Sequence, residues 1–201
     1  MKYLKGFTLI ESILVMSIIG IIAVGATYFV YWGSKLWDVT QDQVAAQESA
    51  REAMQELVGE LREMQISDNG SHPIEAVSDN SITFYANIDS DNKREMVKYE
   101  LDNGTLYKCT KESDDNEPPQ YPDCLPGDNN FVAENIVNTG PMFEYYDDSY
   151  TGESAPLADP FDTSDIKLIK IKLLIDYDPG RTPVPLEIET NVALRNLKEN
   201  L

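Results

Sequence analysis

The sequence is poor in the residues from which most active sites are built. Its one histidine, His72, stands beside a proline, so neither a Ser-His-Asp triad nor a histidine-rich metal site can be assembled. A glycine-rich phosphate loop, a His-x-x-x-His pair and a Cys-x-x-Cys motif are also absent from the sequence. We therefore predict that the protein is not an enzyme.

Basic residues are scarce as well. The chain has 16 lysines and arginines against 35 aspartates and glutamates, which gives a formal net charge of −19. Such a chain is repelled by nucleic acids and by anionic membrane surfaces. We expect no nucleic-acid partner.

The longest uncharged run lies near the N-terminus. From Ile13 to Tyr31 there are nineteen residues without a charge, which as a helix is about the length that crosses the hydrocarbon core of a bilayer. Lys2 and Lys5 precede this run and all acids except Glu11 follow it, so the positive-inside rule places the short N-terminal end in the cytoplasm. The sequence predicts a single-pass membrane protein with one extracytoplasmic soluble domain.

A specific motif stands at the start of this run. The segment Lys5–Glu11 (KGFTLIE) resembles the processing site of type IV prepilins and of the pseudopilins of type II secretion. The resemblance implies cleavage after Gly6 by a prepilin peptidase and methylation of the new N-terminal residue, Phe7. An ordinary secretory signal peptide is one alternative, but it would not place Glu11 at the edge of its apolar region. A plain signal anchor is the other alternative.

Glu11 is the one acid at the edge of the apolar segment. A charged side chain in lipid costs from about 3 kcal/mol upward and persists there when it has a partner. The family resemblance implies that Glu11 pairs, in an assembled filament, with the α-amine of Phe7 on a neighbouring subunit. This pair would set the axial register of the subunits.

An amphipathic helical pattern continues from Trp32 onward. Apolar residues recur three or four positions apart, and polar residues fill the other face. The turn formers of Ser67–Gly70 predict the end of this helix, which would run from Phe7 to Gln65. Its last apolar residues are expected to bury against a sheet; they are Leu57, Leu61 and Met64.

Alternating segments follow Gly70 and predict β-strands. Asn103-Gly104 between two of them is a strong hairpin signal, because both turn residues tolerate positive φ. The predicted strand segments are Ser81–Asn87, Met96–Leu101, Thr105–Cys109, Phe131–Val137, Phe143–Asp148, Ile169–Tyr177 and Leu186–Asn196, with a turn at Asp178–Arg181.

The expected fold is α+β, with a long N-terminal helix packed on an antiparallel β-sheet head, as in pilins. We divide the chain into a leader at 1–6, a transmembrane half of the helix at 7–31, an amphipathic half at 32–67 and an extracytoplasmic β-rich head at 68–201.

Later segments are similar to the larger minor pseudopilins, and most to the J-type subunits. They are Phe131–Val137, the Phe-x-Tyr-Tyr-Asp strand from Phe143, and the Val-x-Leu-Arg-Asn ending from Val192. The resemblance implies a minor subunit of a type II secretion pseudopilus or a type IV pilus in the bacterial inner membrane. Its partners would be other pilin-like subunits, the prepilin peptidase and the inner-membrane assembly platform. A signal-anchored extracytoplasmic binding protein or adhesin is the competing hypothesis.

The stretch Thr110–Asn130 is rich in prolines and acids, and we expect it to be an exposed loop. Cys109 directly precedes this stretch and Cys124 lies within it. Outside the cytoplasm, Cys109 and Cys124 are expected to form a disulfide worth about 3 kcal/mol by loop closure. Two free thiols, in an envelope that is not oxidising, are the alternative. A zinc site is not expected, because two thiols without clustered histidines do not complete its ligand shell.

Two acidic stretches are calcium candidates, because calcium takes six to eight oxygen ligands. Neither has EF-hand spacing, and the alternative is a set of solvated acids that keep the head soluble. We expect no cofactor, with calcium as the open alternative. The candidate ligands are Asp89, Asp91, Asp114, Asp115, Asp123 and Asp128.

Overall fold

The computed structural model describes residues 8–89, 91–125, 127–177 and 185–194. Within these residues the chain forms one long helix, α1 (Leu9–Arg62), followed by β-strands and a short 3-10 turn at Thr163–Asp165. The strands are β1 (Ile74–Val77), β2 (Ser81–Ala86), β3 (Glu95–Asp102), β4 (Thr105–Glu112), β5 (Asn130–Ala133), β6 (Phe143–Tyr146), β7 (Leu168–Ile175) and β8 (Leu186–Ala193).

The chain divides into two compact units, and the first ends at Asp42. The described part of this unit is helical and contains a stretch long and apolar enough to cross a membrane, none of it buried. Large side chains such as Ile21 and Phe29 are 74% and 80% exposed. A contiguous apolar surface of this kind marks contact with lipid or with other proteins. The helix and its apolar surface agree with the predicted membrane span.

The second unit begins at Gln43 and contains the last turns of α1. These turns bury one face, because apolar residues recur there at helical spacing. Leu57 and Leu61 are 0% and 1% exposed, and Met64 just beyond the helix is 1% exposed. All three residues that were predicted to bury at this end of the helix are buried.

The helix ends three residues earlier than predicted, at Arg62 instead of Gln65. Met64 forms a β-bridge with Ala86, and the amide of Gln65 donates to the carbonyl of Tyr85 at 2.9 Å. Since these backbone groups bond to the end of β2, they are not available to continue the helical ladder.

The strands form two antiparallel sheets, where the sequence predicted one. Five strands pair in the order β1-β2-β3-β4-β5, and three pair in the order β6-β7-β8. Each sheet buries alternate residues, among them Val97 and Tyr99 of β3 and Ile169 and Ile171 of β7. The last turns of α1 and both sheets share a single cluster of buried side chains. The predicted α+β class, with a long N-terminal helix and an antiparallel β-head, is confirmed.

The predicted hairpin between β3 and β4 is present. Its turn residues Asn103 and Gly104 have φ values of 47° and 78°. A Cβ on Gly104 would lie 2.9 Å from the carbonyl oxygen of Ile136, so both the conformation and the space require glycine.

Other boundaries differ from the sequence prediction. Strand β1 was missed, because its four residues are too few to show an alternating pattern. Strand β4 continues to Glu112, because Thr110–Glu112 pairs with the first residues of β3. These three residues therefore do not belong to the exposed loop that was predicted from Thr110 onward. The predicted turn at Asp178–Arg181 lies outside the described residues.

Candidate functional site

The helix α1 starts directly after the predicted processing junction. Gly6 and Phe7 themselves lie outside the described residues. Thr8 stands just before the first helical residue, and its hydroxyl accepts a hydrogen bond from the amide of Glu11 at 3.3 Å. In return, the amide of Thr8 donates to the Glu11 carboxylate over a long 3.5 Å. This reciprocal pair is a capping box.

The capping box fixes where the Glu11 carboxylate lies. It places a negative charge at the N-terminal end of α1, where the helix dipole favours an anion. Among the described residues no cation lies within ion-pair distance of this exposed carboxylate. Our sequence interpretation missed the role of Thr8, although the Thr-x-x-Glu signature was there to be recognised.

The last turns of α1 are tied to the five-stranded sheet by Lys108 of β4. Its ammonium contacts the carboxylates of both Glu56 and Glu60. The hydroxyl of Tyr99 donates to the second oxygen of Glu60 at 2.8 Å. Burial alone would lower the pKa of Lys108, but the hydrogen bonds to Glu56 and Glu60 outweigh it and raise that pKa above its usual range. The group is a partly buried ion cluster joining helix and sheet.

A second polar cluster surrounds Asp68, just after the helix. Its carboxylate accepts hydrogen bonds from the backbone amide of Arg94 at 2.9 Å, from the Arg94 guanidinium at 2.8 Å and from the Ser113 hydroxyl at 2.9 Å. Burial alone would raise the pKa of Asp68, but these hydrogen bonds outweigh it and lower that pKa below its usual 3.8. Asp68 therefore holds the helix exit against β3 and the loop after β4.

The loop after β4 is closed by the disulfide between Cys109 and Cys124, whose Cα atoms are 6.2 Å apart. The ring of Tyr121, within this loop, lies 4.7 Å from the ring of Tyr85. The Tyr121 hydroxyl also accepts a hydrogen bond from the amide of Asp68 at 3.1 Å. The loop is thus fixed to β2 through Tyr85 and to the segment after α1 through Asp68.

Four of the six candidate calcium ligands lie in the loop after β4 and its flank, and the described structure does not bring these four together. Asp115 pairs with Lys93 at 2.8 Å and Asp128 with Lys111 at 2.8 Å. Asp114 instead accepts the backbone amide of Gln120 at 2.8 Å. Each of these three loop acids is therefore bound by its own lysine or backbone amide. Asp123 does not join them in a common cluster within the described part of the chain.

Asp89 and Asp91 do come together, and Glu112 joins them. Carboxylate oxygens of the three exposed residues lie within 4.8 Å of one another. Sequence reasoning missed Glu112 because only the β3–β4 pairing brings it beside the β2–β3 turn. Calcium binding by this group stays a prediction.

Comparison with known proteins bears on the N-terminus. Residues 1–27 match the family model described as the prokaryotic N-terminal methylation motif. The predicted prepilin-type motif, and with it the resemblance to type IV pilins and pseudopilins, is thereby confirmed.

Beyond this N-terminal motif, the chain shows less similarity to known proteins. No curated protein sequence matches it. Among solved structures, it is similar to a chain of the GspK-GspI-GspJ complex from the type 2 secretion system of enterotoxigenic Escherichia coli, with 14% sequence identity and a TM-score of 0.39. That likeness covers 75% of this chain and 97% of the other.

Proposed function

We propose that this protein is a minor pseudopilin or minor pilin, processed after Gly6 and assembled into a type II secretion pseudopilus or a type IV pilus. The observation that carries the proposal is the methylation motif at residues 1–27, which overlaps the start of α1, a helix that contains a stretch long and apolar enough to cross a membrane. Its work is assembly, and its partners are other pilin-like subunits.

Two states of the N-terminal helix follow from its exposed apolar side chains. Before assembly, lipid of the inner membrane covers them, with the head outside the cytoplasm. In the filament, the corresponding helices of neighbouring subunits replace the lipid. The disulfide between Cys109 and Cys124 fits an oxidising extracytoplasmic compartment.

The exchange from lipid to filament is directed by Glu11. Cleavage after Gly6 by the prepilin peptidase creates an α-amine on Phe7, close in sequence to the Glu11 carboxylate. The described residues place no cation within ion-pair distance of this carboxylate, and its negative charge would attract such an amine from a neighbouring subunit. Transfer of the subunit to the inner-membrane assembly platform would then bring the two charges together.

Mass spectrometry of the intact protein tests the processing step. When the full chain is produced together with a prepilin peptidase, the mature protein is expected to begin at a methylated Phe7. Replacement Gly6→Val should leave the leader attached, because a bulky residue blocks the junction. The matched control is Gly20→Ala, since a Cβ there meets nothing within 4 Å. A protein that begins at Met1, or one cut near Ala23, would overturn the proposal.

Affinity capture of the detergent-solubilised protein tests the assembly step. We expect other subunits with the same N-terminal motif to be recovered with it. Recovery of unrelated proteins alone would favour an anchored binding protein over a filament subunit.

A further inference from the structure

A cavity of about 530 Å³ opens in the second unit. It lies between the β1–β2 turn, the start of β6 and the segment 156–161. Its volume falls within the range of about 300–1,000 Å³ that is usual for ligand sites. The proposed filament function does not use it.

The walls of this cavity are tied to one another by hydrogen bonds. The hydroxyl of Tyr145 donates to the carbonyl of Ser78 at 2.9 Å. The carbonyl of Asp79 accepts the amide of Phe143 at 3.0 Å, and the amide of Leu157 donates to the carbonyl of Tyr145 at 2.8 Å. Because the three segments are fixed without a ligand, binding would cost little ordering of the protein.

The buried part of the cavity lining is aromatic. Phe143 and Tyr145 are 1% and 5% exposed, and their rings lie 6.4 Å apart at an interplanar angle of 18°. The ring of Phe161 lies 5.9 Å from that of Tyr145. Of these three rings only that of Phe161 is partly exposed, and the negative face of such a ring attracts a cation placed over it.

The exposed part of the lining carries two acids. Asp79 and Asp159 are both exposed, and no cation of the described chain lies within ion-pair distance of either. A third acid, Glu144, has its carboxylate 3.6 Å from the ammonium of Lys172. The cavity therefore presents two carboxylates whose charge the described residues do not balance.

We infer that this cavity receives an arginine side chain from a partner protein. A guanidinium is planar, stacks on aromatic faces and offers a fork of donors to carboxylates. These properties match a cavity whose lining combines the partly exposed ring of Phe161 with the exposed acids Asp79 and Asp159. A lysine ammonium is a compact, strongly hydrated charge and matches this lining less well. The inference goes beyond the proposed function, because it concerns the second unit alone and does not depend on processing or on filament assembly.

Titration calorimetry on the detergent-solubilised full chain tests this assignment. The probe is a blocked five-residue glycine peptide with a central arginine. Matched peptides carry citrulline, which keeps the shape without the charge, or lysine. We expect saturable binding of the arginine peptide, and affinity lower by at least about ten-fold for the citrulline peptide and by several-fold for the lysine peptide.

Variants connect the binding to the cavity. The double substitution Asp79→Asn and Asp159→Asn should lower the affinity for the arginine peptide by about ten-fold. Phe161→Leu should lower it by several-fold, because the ring face is lost. The control pair Glu117→Gln and Asp123→Asn removes the same charge from the loop after β4 and should bind normally. Thermal unfolding of each variant verifies that the fold is kept.

Three results would overturn the inference. They are the absence of saturable binding by the arginine peptide, equal affinity for the citrulline or lysine peptide, and unchanged affinity of the Asp79 and Asp159 double variant.

Discussion

Thr8 and Glu11 cap the start of α1 reciprocally. The Glu11 amide donates to the Thr8 hydroxyl at 3.3 Å, and the Thr8 amide donates to the Glu11 carboxylate at 3.5 Å. The same carboxylate thus satisfies a backbone donor in the single chain and is the proposed partner of a neighbour's α-amine. These two roles can be separated, because one needs an acceptor atom and the other needs a negative charge.

Substitution of Glu11 separates the roles. Glu11→Gln keeps an oxygen acceptor for the cap but removes the charge, whereas Glu11→Ala removes both. We expect both variants to be processed after Gly6 and to fold, yet to lose crosslinking to other subunits. Glu11→Asp keeps the charge with a shorter reach and should restore crosslinking in part. Normal assembly of Glu11→Gln would show that the charge pair is not what places the subunit.

Lys108 should be a strong stability determinant of the second unit. Lys108→Met leaves the carboxylates of Glu56 and Glu60 without their cation, and breaking a buried pair in this way costs about 3–5 kcal/mol. Since both glutamates are partly exposed, with side-chain exposures of 48% and 12%, we expect a value near the lower end. Urea unfolding of the full chain in detergent measures it.

The matched control for this substitution is Lys98→Met on the adjacent strand. Lys98 pairs with Glu100 at 2.8 Å, and these two side chains are 30% and 43% exposed, whereas that of Lys108 is 13% exposed. Exposed pairs contribute about 0–1 kcal/mol. Equal losses from the two variants would mean that the ion cluster around Lys108 contributes no more to stability than an exposed ion pair.

Asp68 should make stability depend on acid pH. Its pKa in the folded chain lies below the usual 3.8, so the folded state releases this proton more readily than the unfolded state. The contribution of Asp68 to the free energy of unfolding is therefore fully present above the pKa that this residue has in the unfolded chain. It is lost as the pH falls below about 4 and through the pKa of the folded chain.

Unfolding by urea at a series of acid pH values tests this expectation. Asp68→Asn should be less stable than the parent chain at neutral pH and should lose less further stability on acidification. Asp123→Asn removes an exposed loop carboxylate and serves as the control. A parallel pH dependence in Asp68→Asn and the parent would assign the acid sensitivity to other carboxyls.

Loss of the disulfide should lower the free energy of unfolding by about 3 kcal/mol, because the closed loop of fifteen residues is then free in the unfolded chain. The double variant Cys109→Ala and Cys124→Ala tests this, with reduction of the parent chain as an independent comparison. Peptide mapping under non-reducing conditions should recover the two cysteines linked. Free thiols in protein isolated from the envelope would contradict this expectation.

The sequence by itself determined the features that depend on neighbouring residues. The processing motif, the apolar run and the Asn103-Gly104 turn are each encoded within a few positions. For the same reason the buried face of α1 was predictable at Leu57 and Leu61, since helical spacing alone places them together.

The tertiary structure decided what depends on the pairing of distant segments. Lys108 meets Glu56 and Glu60 because β4 lies beside the end of α1, and no local pattern specifies that approach. The division into two sheets depends on which strands pair with one another. Strand β1 is too short to be predicted from its own sequence, and only its pairing with β2 identifies it as a strand. Glu112 joins Asp89 and Asp91 only through the register of β3 on β4. The alternation of apolar and polar residues determines which side chains of a strand face the core. Which strand pairs with it depends instead on how all the strands bury their apolar faces together.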